Sequence, residues 1–166
     1  MENKMKEIKM DKIVLSAGAT GDNLDKAFKL LERISGRKPI RTKSVKRIPS
    51  WEVRPNLEVG CKVTLRRDAA EKLLKKLLTA VDNQLKRKQI SKNHFSFGIK
   101  EYIEIPDMEY QRYIGIMGFN VTADFTRGGY RVKVRKIKRG SLPKKQEISE
   151  EEIEEFMIKK YGVEIR

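Results

Sequence analysis

Apolar and polar residues alternate along several short stretches of the chain, which is the pattern of half-buried β-strands. In residues 59–66 the two kinds of side chain separate onto opposite faces of an extended strand, as Cys61, Val63 and Leu65 against Lys62, Thr64 and Arg66. The apolar face is suited to packing on helices, and the cations and hydroxyl opposite suit a phosphate backbone. The pattern fits an RNA-binding sheet, and it also fits an ordinary strand whose outer face is solvated.

Further strands are predicted at residues 13–18, 95–99, 118–126 and 130–135, and a short one at residues 39–42. The turn-forming sequence Arg127-Gly128-Gly129 separates two of these stretches, so we expect them to form a basic antiparallel hairpin. Phe95 and Phe97 fall in the apolar phase of their strand. We therefore expect both rings in the core rather than stacked on bases.

Three stretches repeat apolar residues at helical spacing, between Asp22 and Gly36, between Asp68 and Val81, and between Ser149 and Gly162. Ser149 and Glu152 form a capping-box pair at the start of the last helix. The order of elements predicts an α+β fold, with a mostly antiparallel sheet, helices packed on one face, an open RNA-binding face and basic loops.

The length of the chain fits one domain, so we expect residues 1–166 to form a single domain. Within it, residues 128–166 are expected to form a basic hairpin arm followed by the C-terminal helix.

The charge of the chain indicates a polyanionic partner. There are 38 Lys and Arg residues against 23 Asp and Glu, which gives a net charge of +15. Nucleic acid is the commonest partner of such a surplus, and an anionic membrane surface is the second. The cations lie mostly in loops and strands rather than along one amphipathic helix, so the pattern favours nucleic acid.

Two basic blocks stand out. The first, residues 37–54, has one acid, Glu52, and predicts a long exposed loop over residues 43–56 that carries the only tryptophan, Trp51. An exposed Trp51 would stack on a base or sugar, and the alternative is that it packs against the core. The second block, residues 127–145, has no acid.

No catalytic or metal-binding pattern is found. One cysteine, Cys61, and one histidine, His94, do not suffice for a Cys/His zinc site. Cys61 falls in the apolar phase of its strand, which favours a buried, inert thiol over a nucleophile. The lone cysteine fits a reducing cytoplasm. We expect no enzyme activity and no cofactor.

Four stretches resemble a known family in order and spacing, namely residues 12–18 (Lys-Ile-Val-Leu-Ser-Ala-Gly), 35–43 (Ser-Gly-Arg-Lys-Pro-Ile-Arg-Thr-Lys), 60–66 (Gly-Cys-Lys-Val-Thr-Leu-Arg) and 97–101 (Phe-Gly-Ile-Lys-Glu). Through them the chain resembles the large-subunit ribosomal proteins that bind 5S ribosomal RNA, the L-five family, called L-eleven in eukaryotes. The region from residue 128 onward resembles the archaeal and eukaryotic branch, and we expect an archaeal type.

The resemblance implies a structural protein of the cytoplasmic ribosome, in the central protuberance of the large subunit. The implied partners are 5S rRNA, large-subunit rRNA, P-site tRNA, a neighbouring 5S-binding protein of the L-eighteen family, and a small-subunit head protein of the S-thirteen family at an inter-subunit bridge. No membrane partner is expected.

Candidate residues follow from the resemblance together with the basic blocks and the polar strand face. For 5S rRNA they are Ser16, Gly18, Thr20, Thr42, Lys43, Lys62, Thr64 and Arg66. For large-subunit rRNA they are Arg135, Lys136, Lys138 and Arg139, and for P-site tRNA they are Lys46, Arg47, Trp51 and Arg54. Many relatives have asparagine where this chain has Ser16, and a serine hydroxyl reaches less far. The alternatives are a free-standing RNA-binding regulator, an RNA-directed enzyme and a membrane-surface module.

Overall fold

A six-stranded antiparallel sheet forms the centre of the fold in a computed structural model of the protein, which describes Asn3 and residues 5–166. In chain order the strands are β1 (Lys9–Gly18), β2 (Ile40–Lys43), β3 (Glu58–Arg66), β4 (Gln84–Leu85), β5 (Ile90–Ser91), β6 (His94–Ile99), β7 (Phe119–Thr126) and β8 (Glu164–Ile165). The large sheet has the order β2-β3-β1-β7-β6-β5, and all its pairings are antiparallel. Strands β4 and β8 form a separate parallel pair.

Four α-helices accompany the sheet within the described residues, namely α1 (Asp22–Ser35), α2 (Arg67–Thr79), α3 (Arg131–Val134) and α4 (Glu150–Tyr161). Helix α1 packs on β3, and α2 packs on β1 and β3. The alternating strands turn their apolar side chains toward these helices, because every second residue of a strand points to the same face. The predicted α+β fold and its mostly antiparallel sheet are confirmed.

The core is one continuous cluster that runs from Ile13 on β1 to Val163 near the C-terminus. Phe95 is fully buried, and its ring stacks on Phe97 at 5.9 Å and on Phe125 at 5.7 Å between centroids. The prediction that the strand aromatics lie in the core is therefore confirmed.

Helix α4 begins with the predicted capping box. The Ser149 hydroxyl accepts a hydrogen bond from the Glu152 amide at 3.3 Å, and the Glu152 carboxylate accepts one from the Ser149 amide at 3.0 Å. A second oxygen of Glu152 accepts a hydrogen bond from the Arg127 guanidinium at 2.5 Å. This pair joins the start of α4 to the end of β7.

The prediction of a hairpin strand at residues 130–135 is wrong, because residues 131–134 form the short helix α3. The physical reason lies in the sheet order. Strand β7 pairs with β1 along one edge and with β6 along the other, so neither edge is free for a returning strand. The alternation of Val132 and Val134 with basic residues is therefore not used in a sheet.

Within the described part of the chain, no helix has the length and apolar character needed to cross a membrane.

Candidate nucleic-acid interface

The face of the sheet turned away from the helices, here called the open face, is polar. The strand register places its residues in three rows that run across β3, β1, β7 and β6. The first row is Lys62, Ser16, Asn120 and Gly98, the second is Thr64, Val14, Thr122 and Ser96, and the third is Arg66, Lys12, Asp124 and His94. Hydroxyl and amide groups therefore occupy most of the first two rows, around the one apolar side chain, Val14. Such groups suit the sugars, phosphates and base edges of RNA.

Charge is unevenly distributed over the open face. In the third row Lys12 pairs with Asp124 at 2.9 Å, and Arg66 pairs with Asp11 at 2.7 Å. Lys62 in the first row is exposed and forms no ion pair with any acid of the described chain. The first row thus keeps a cation available for a ligand, whereas the cations of the third row are already matched by carboxylates.

Strand β2 extends the open face beyond Lys62. Arg41 lies on the helix side, where it pairs with Asp25 at 2.6 Å and Glu58 at 2.8 Å. Thr42, the next residue, therefore points to the open side, opposite Gly60. A Cβ atom at Gly60 would lie 2.9 Å from the Ala17 carbonyl oxygen, so the glycine lets β1, β2 and β3 lie close together.

The structure brings five of the eight residues predicted for 5S rRNA onto one surface, namely Ser16, Thr42, Lys62, Thr64 and Arg66. Gly18 ends β1 at the margin of this surface, and Thr20 follows it in the exposed turn before α1. Lys43 lies beyond an irregularity in the β2–β3 register and is exposed. RNA contact by these residues stays a prediction.

Sequence reasoning did not single out Asn120, Thr122 and Ser96, which share the open face with the predicted residues. Each of them alternates with apolar residues, which indicates the outer face of its own strand. Only the strand order shows that β7 and β6 continue the polar surface of β1, and nothing local in the sequence fixes that order.

The basic loop over residues 44–57 is closed by hydrogen bonds between its two ends. Backbone hydrogen bonds link Ser44 to Leu57 at 2.9 Å and to Asn56 at 2.8 Å, and Ile48 pairs with Val53. Val53 is buried, whereas Trp51 is 75% exposed. The alternative in which Trp51 packs against the core is therefore wrong.

The residues predicted for tRNA contact lie together on this loop. Lys46, Arg47 and Arg54 are exposed like Trp51. The loop thus presents an indole ring among three cations, a combination that suits stacking on a base beside phosphates.

A second basic surface follows β7. Arg135, Lys136, Lys138 and Arg139 are all exposed. The chain folds back here, because the Gly140 amide donates to the Val132 carbonyl at 3.1 Å. A cleft of about 250 Å³, lined in part by Lys133, Asp124 and His94, separates this segment from the third row of the open face.

Comparison with known proteins decides the family. The model of ribosomal protein L5 matches residues 3–54, and the model of the C-terminus of the same ribosomal family matches residues 58–159. The large ribosomal subunit protein uL5 of Nanoarchaeum equitans is 42% identical over 99% of both chains. The proteins of the same name from Sulfolobus acidocaldarius and Nitrosopumilus maritimus are 38% and 35% identical over 99% of this chain, and over 94% and 96% of their own lengths.

The chain belongs to the ribosomal protein L5 family.

Membership of the L5 family confirms the predicted resemblance, and the relatives named here are archaeal, as expected for the archaeal type. The chain is thus a ribosomal protein, and the prediction that it is not an enzyme is confirmed by its family.

The one cysteine of the chain lies in the core of the sheet. Cys61 is buried, and burial raises the pKa of its thiol, an effect that a hydrogen bond with Ala17 and the charge of Arg41 only partly offset. The thiol therefore stays protonated near neutral pH and is a poor nucleophile. Among the residues that the structure describes, no three His, Cys, Asp or Glu side chains are grouped as metal ligands would be.

Proposed function

We propose that this L5 family protein is a structural constituent of the large ribosomal subunit that binds 5S rRNA through the open face of its sheet. The observation that carries the proposal is the open face itself. Polar side chains from four strands form it, with Val14 as the one apolar side chain in its three rows. Lys62 borders it without an ion-pair partner among the described acids, in a chain with a net charge of +15.

The chemistry of the face favours recognition of RNA by shape. Hydroxyls such as those of Ser16 and Thr64 donate to phosphate oxygens and both donate to and accept from 2′-hydroxyls. Lys62 neutralises a phosphate without first breaking an ion pair. The proposed contacts for 5S rRNA are Ser16, Gly18, Thr20, Thr42, Lys43, Lys62, Thr64 and Arg66.

Two further RNA contacts are proposed from the exposed basic surfaces. Arg135, Lys136, Lys138 and Arg139 would bind large-subunit rRNA beside the 5S site. Lys46, Arg47, Trp51 and Arg54 would reach the P-site tRNA, because their loop projects from the sheet and exposes the indole ring.

Protein partners are proposed on an acidic part of the surface. Residues 101–116 carry four acids against a single base, Arg112, and expose Tyr110, Tyr113 and Ile116. Acids beside exposed aromatic rings suit a basic protein better than RNA. We assign the contact with the S-thirteen family protein at the inter-subunit bridge to this segment. A neighbour of the L-eighteen family would bind the same 5S rRNA in the central protuberance.

The test is the affinity of the protein for a 5S rRNA transcript in an excess of bulk tRNA. The proposal expects tight binding that resists the competitor, and weaker binding after Lys62→Ala. A matched control is Lys159→Ala, which removes an exposed cation from α4. Equal affinity for both RNAs, or an equal loss of affinity in both variants, would show that the protein binds RNA only as a generic polycation. Either result would contradict the proposal.

A further inference from the structure

A groove of about 480 Å³ opens at one end of the open face, where two neighbouring strands separate. The pairing of β1 with β7 ends at Ser16 and Asn120, whereas β1 continues to pair with β3 as far as Gly18. The groove is lined by residues 16–18, 98–100 and 118–120. It continues directly from the first row of the open face, since Ser16, Asn120 and Gly98 belong to both.

Two of the three glycines in the groove are explained by packing within the protein. A Cβ atom at Gly118 would lie 2.6 Å from the Lys100 carbonyl oxygen and 2.7 Å from that of Ile99. A Cβ atom at Gly98 would lie 3.1 Å from the Asn120 side-chain oxygen. Gly98 thus leaves the space that the Asn120 carboxamide occupies.

Gly18 has no such explanation. A Cβ atom there would meet only the Val59 carbonyl oxygen, at 4.0 Å, and Gly18 is not among the glycines with positive φ. The fold would therefore accept alanine at this position. The glycine instead leaves bare backbone at the groove, and close approach of backbone to a ligand is a main use of glycine.

The polar groups at the groove suit a nucleobase better than a phosphate. The carboxamide of Asn120 is exposed and offers one acceptor and one donor side by side, and the Ser16 hydroxyl offers both roles. Two cations flank the neutral pair of Asn120 and Ser16. Lys100 lines the groove, and Lys62 lies beside Ser16. A base would thus lie between two groups that suit its neighbouring phosphates.

We propose that the groove receives one unpaired nucleobase of the RNA bound on the open face. The Asn120 carboxamide hydrogen-bonds its edge, and we expect adenine, whose N6 donor and N7 acceptor form the usual bidentate pair with asparagine. The bare backbone at Gly18 lets the base approach. This inference deepens the proposed function and rests on it.

The experiment combines binding and chemical footprinting on a 5S rRNA transcript. The wild type is compared with Gly18→Ala, Asn120→Ala and the control Ile158→Ala, which shortens a side chain that is 54% exposed on α4, outside the open face. We expect Gly18→Ala and Asn120→Ala to bind about tenfold more weakly or worse. Both should lose protection of one unpaired adenine while the rest of the footprint persists, and Ile158→Ala should resemble the wild type.

The outcomes separate the two levels of the proposal. If the wild type protects no part of the transcript, the 5S-binding function fails and the groove inference fails with it. If the wild type binds but Gly18→Ala and Asn120→Ala keep its affinity and full footprint, only the groove inference is overturned. An equal loss in Ile158→Ala would also overturn it, because the effect would then not be specific to the groove. Circular dichroism and a thermal melt of each variant identify any loss that comes from misfolding.

Discussion

Arg66 donates a hydrogen bond to Asp11 at 2.7 Å, so one of the two cations predicted on the outer face of β3 is already paired within the protein. Lys62, four residues earlier on the same face, has no such partner among the described acids. The two positions look equivalent in the sequence, but of the two only Lys62 can meet RNA without giving up an ion pair.

This difference gives the first prediction. Lys62→Ala should weaken binding to 5S rRNA and lower the salt dependence of log affinity by about one phosphate contact. The double variant Asp11→Ala with Arg66→Ala removes both members of the ion pair and leaves the net charge unchanged. Because Arg66 must first leave Asp11 to reach a phosphate, this variant should change the salt dependence less than Lys62→Ala does. Fluorescence anisotropy with a labelled transcript measures both slopes. Equal slopes for Lys62→Ala and the wild type would remove Lys62 from the interface.

The exposed indole of Trp51 gives the second prediction. Because Trp51 is the only tryptophan, its fluorescence reports on the basic loop alone. Stacking on tRNA should change this emission, and Trp51→Ala should weaken tRNA binding by about 1 kcal/mol or more. Stability should be unaffected, since the ring is 75% exposed. Unchanged emission at saturating tRNA would show that the loop does not touch tRNA. Lys62→Ala, which changes the open face rather than the loop, is the comparison variant.

Much of this fold was predictable because the alternation within one strand identifies its buried and its exposed face. The alternation at Cys61, Val63 and Leu65 identified the buried side of β3, and the same logic placed Phe95 and Phe97 in the core. The capping box of Ser149 and Glu152 fixed the start of α4. Each of these inferences needs only residues within a few positions of one another.

What failed required information about strand order. The alternation at Val132 and Val134 predicted a strand, yet β7 has no free edge to pair with it. For the same reason the alternation around Asn120 indicates an outward-facing side chain, but it does not show that Ser16 is the neighbour of Asn120. Pairing between distant strands is a property of the whole fold, and a local pattern does not determine it.

The aromatic stack in the core gives a third prediction, on stability. Phe95→Ala should lower the free energy of unfolding by about 3–5 kcal/mol, because it empties a fully buried site between Phe97 and Phe125. Ile116→Ala, at a side chain that is 67% exposed, should change it by less than about 0.5 kcal/mol. Urea unfolding measures both. A single cooperative transition is expected if the chain is one domain, and two transitions would contradict that proposal.

The pair of Arg127 and Glu152 gives a fourth prediction, on pH. Burial raises the pKa of Glu152, but hydrogen bonds from the Ser149 amide and the Arg127 guanidinium outweigh burial and hold it below its usual value. A carboxylate whose pKa is lowered by folding stabilises the fold above its unfolded pKa, about 4.3, and this contribution disappears as the pH falls through the folded pKa.

Glu152→Gln should therefore reduce the loss of stability between about pH 5 and pH 3. Glutamine can still complete the capping box, so the variant isolates the charge. Glu151→Gln, at an exposed residue of the same first turn, is the matched control. Thermal melts at each pH measure the effect, and parallel acid profiles for Glu152→Gln and the wild type would contradict the role given to the pair.

The central claim is that the open face binds 5S rRNA through a limited set of contacts. The most direct test is a salt titration of wild-type affinity for the 5S transcript with bulk tRNA present. If about five phosphates are neutralised, log affinity should fall with log salt at a slope of about −3 to −5, and specific binding should persist over the competitor. A much steeper slope with equal affinity for tRNA would contradict the claim, because binding would then follow total charge rather than the open face.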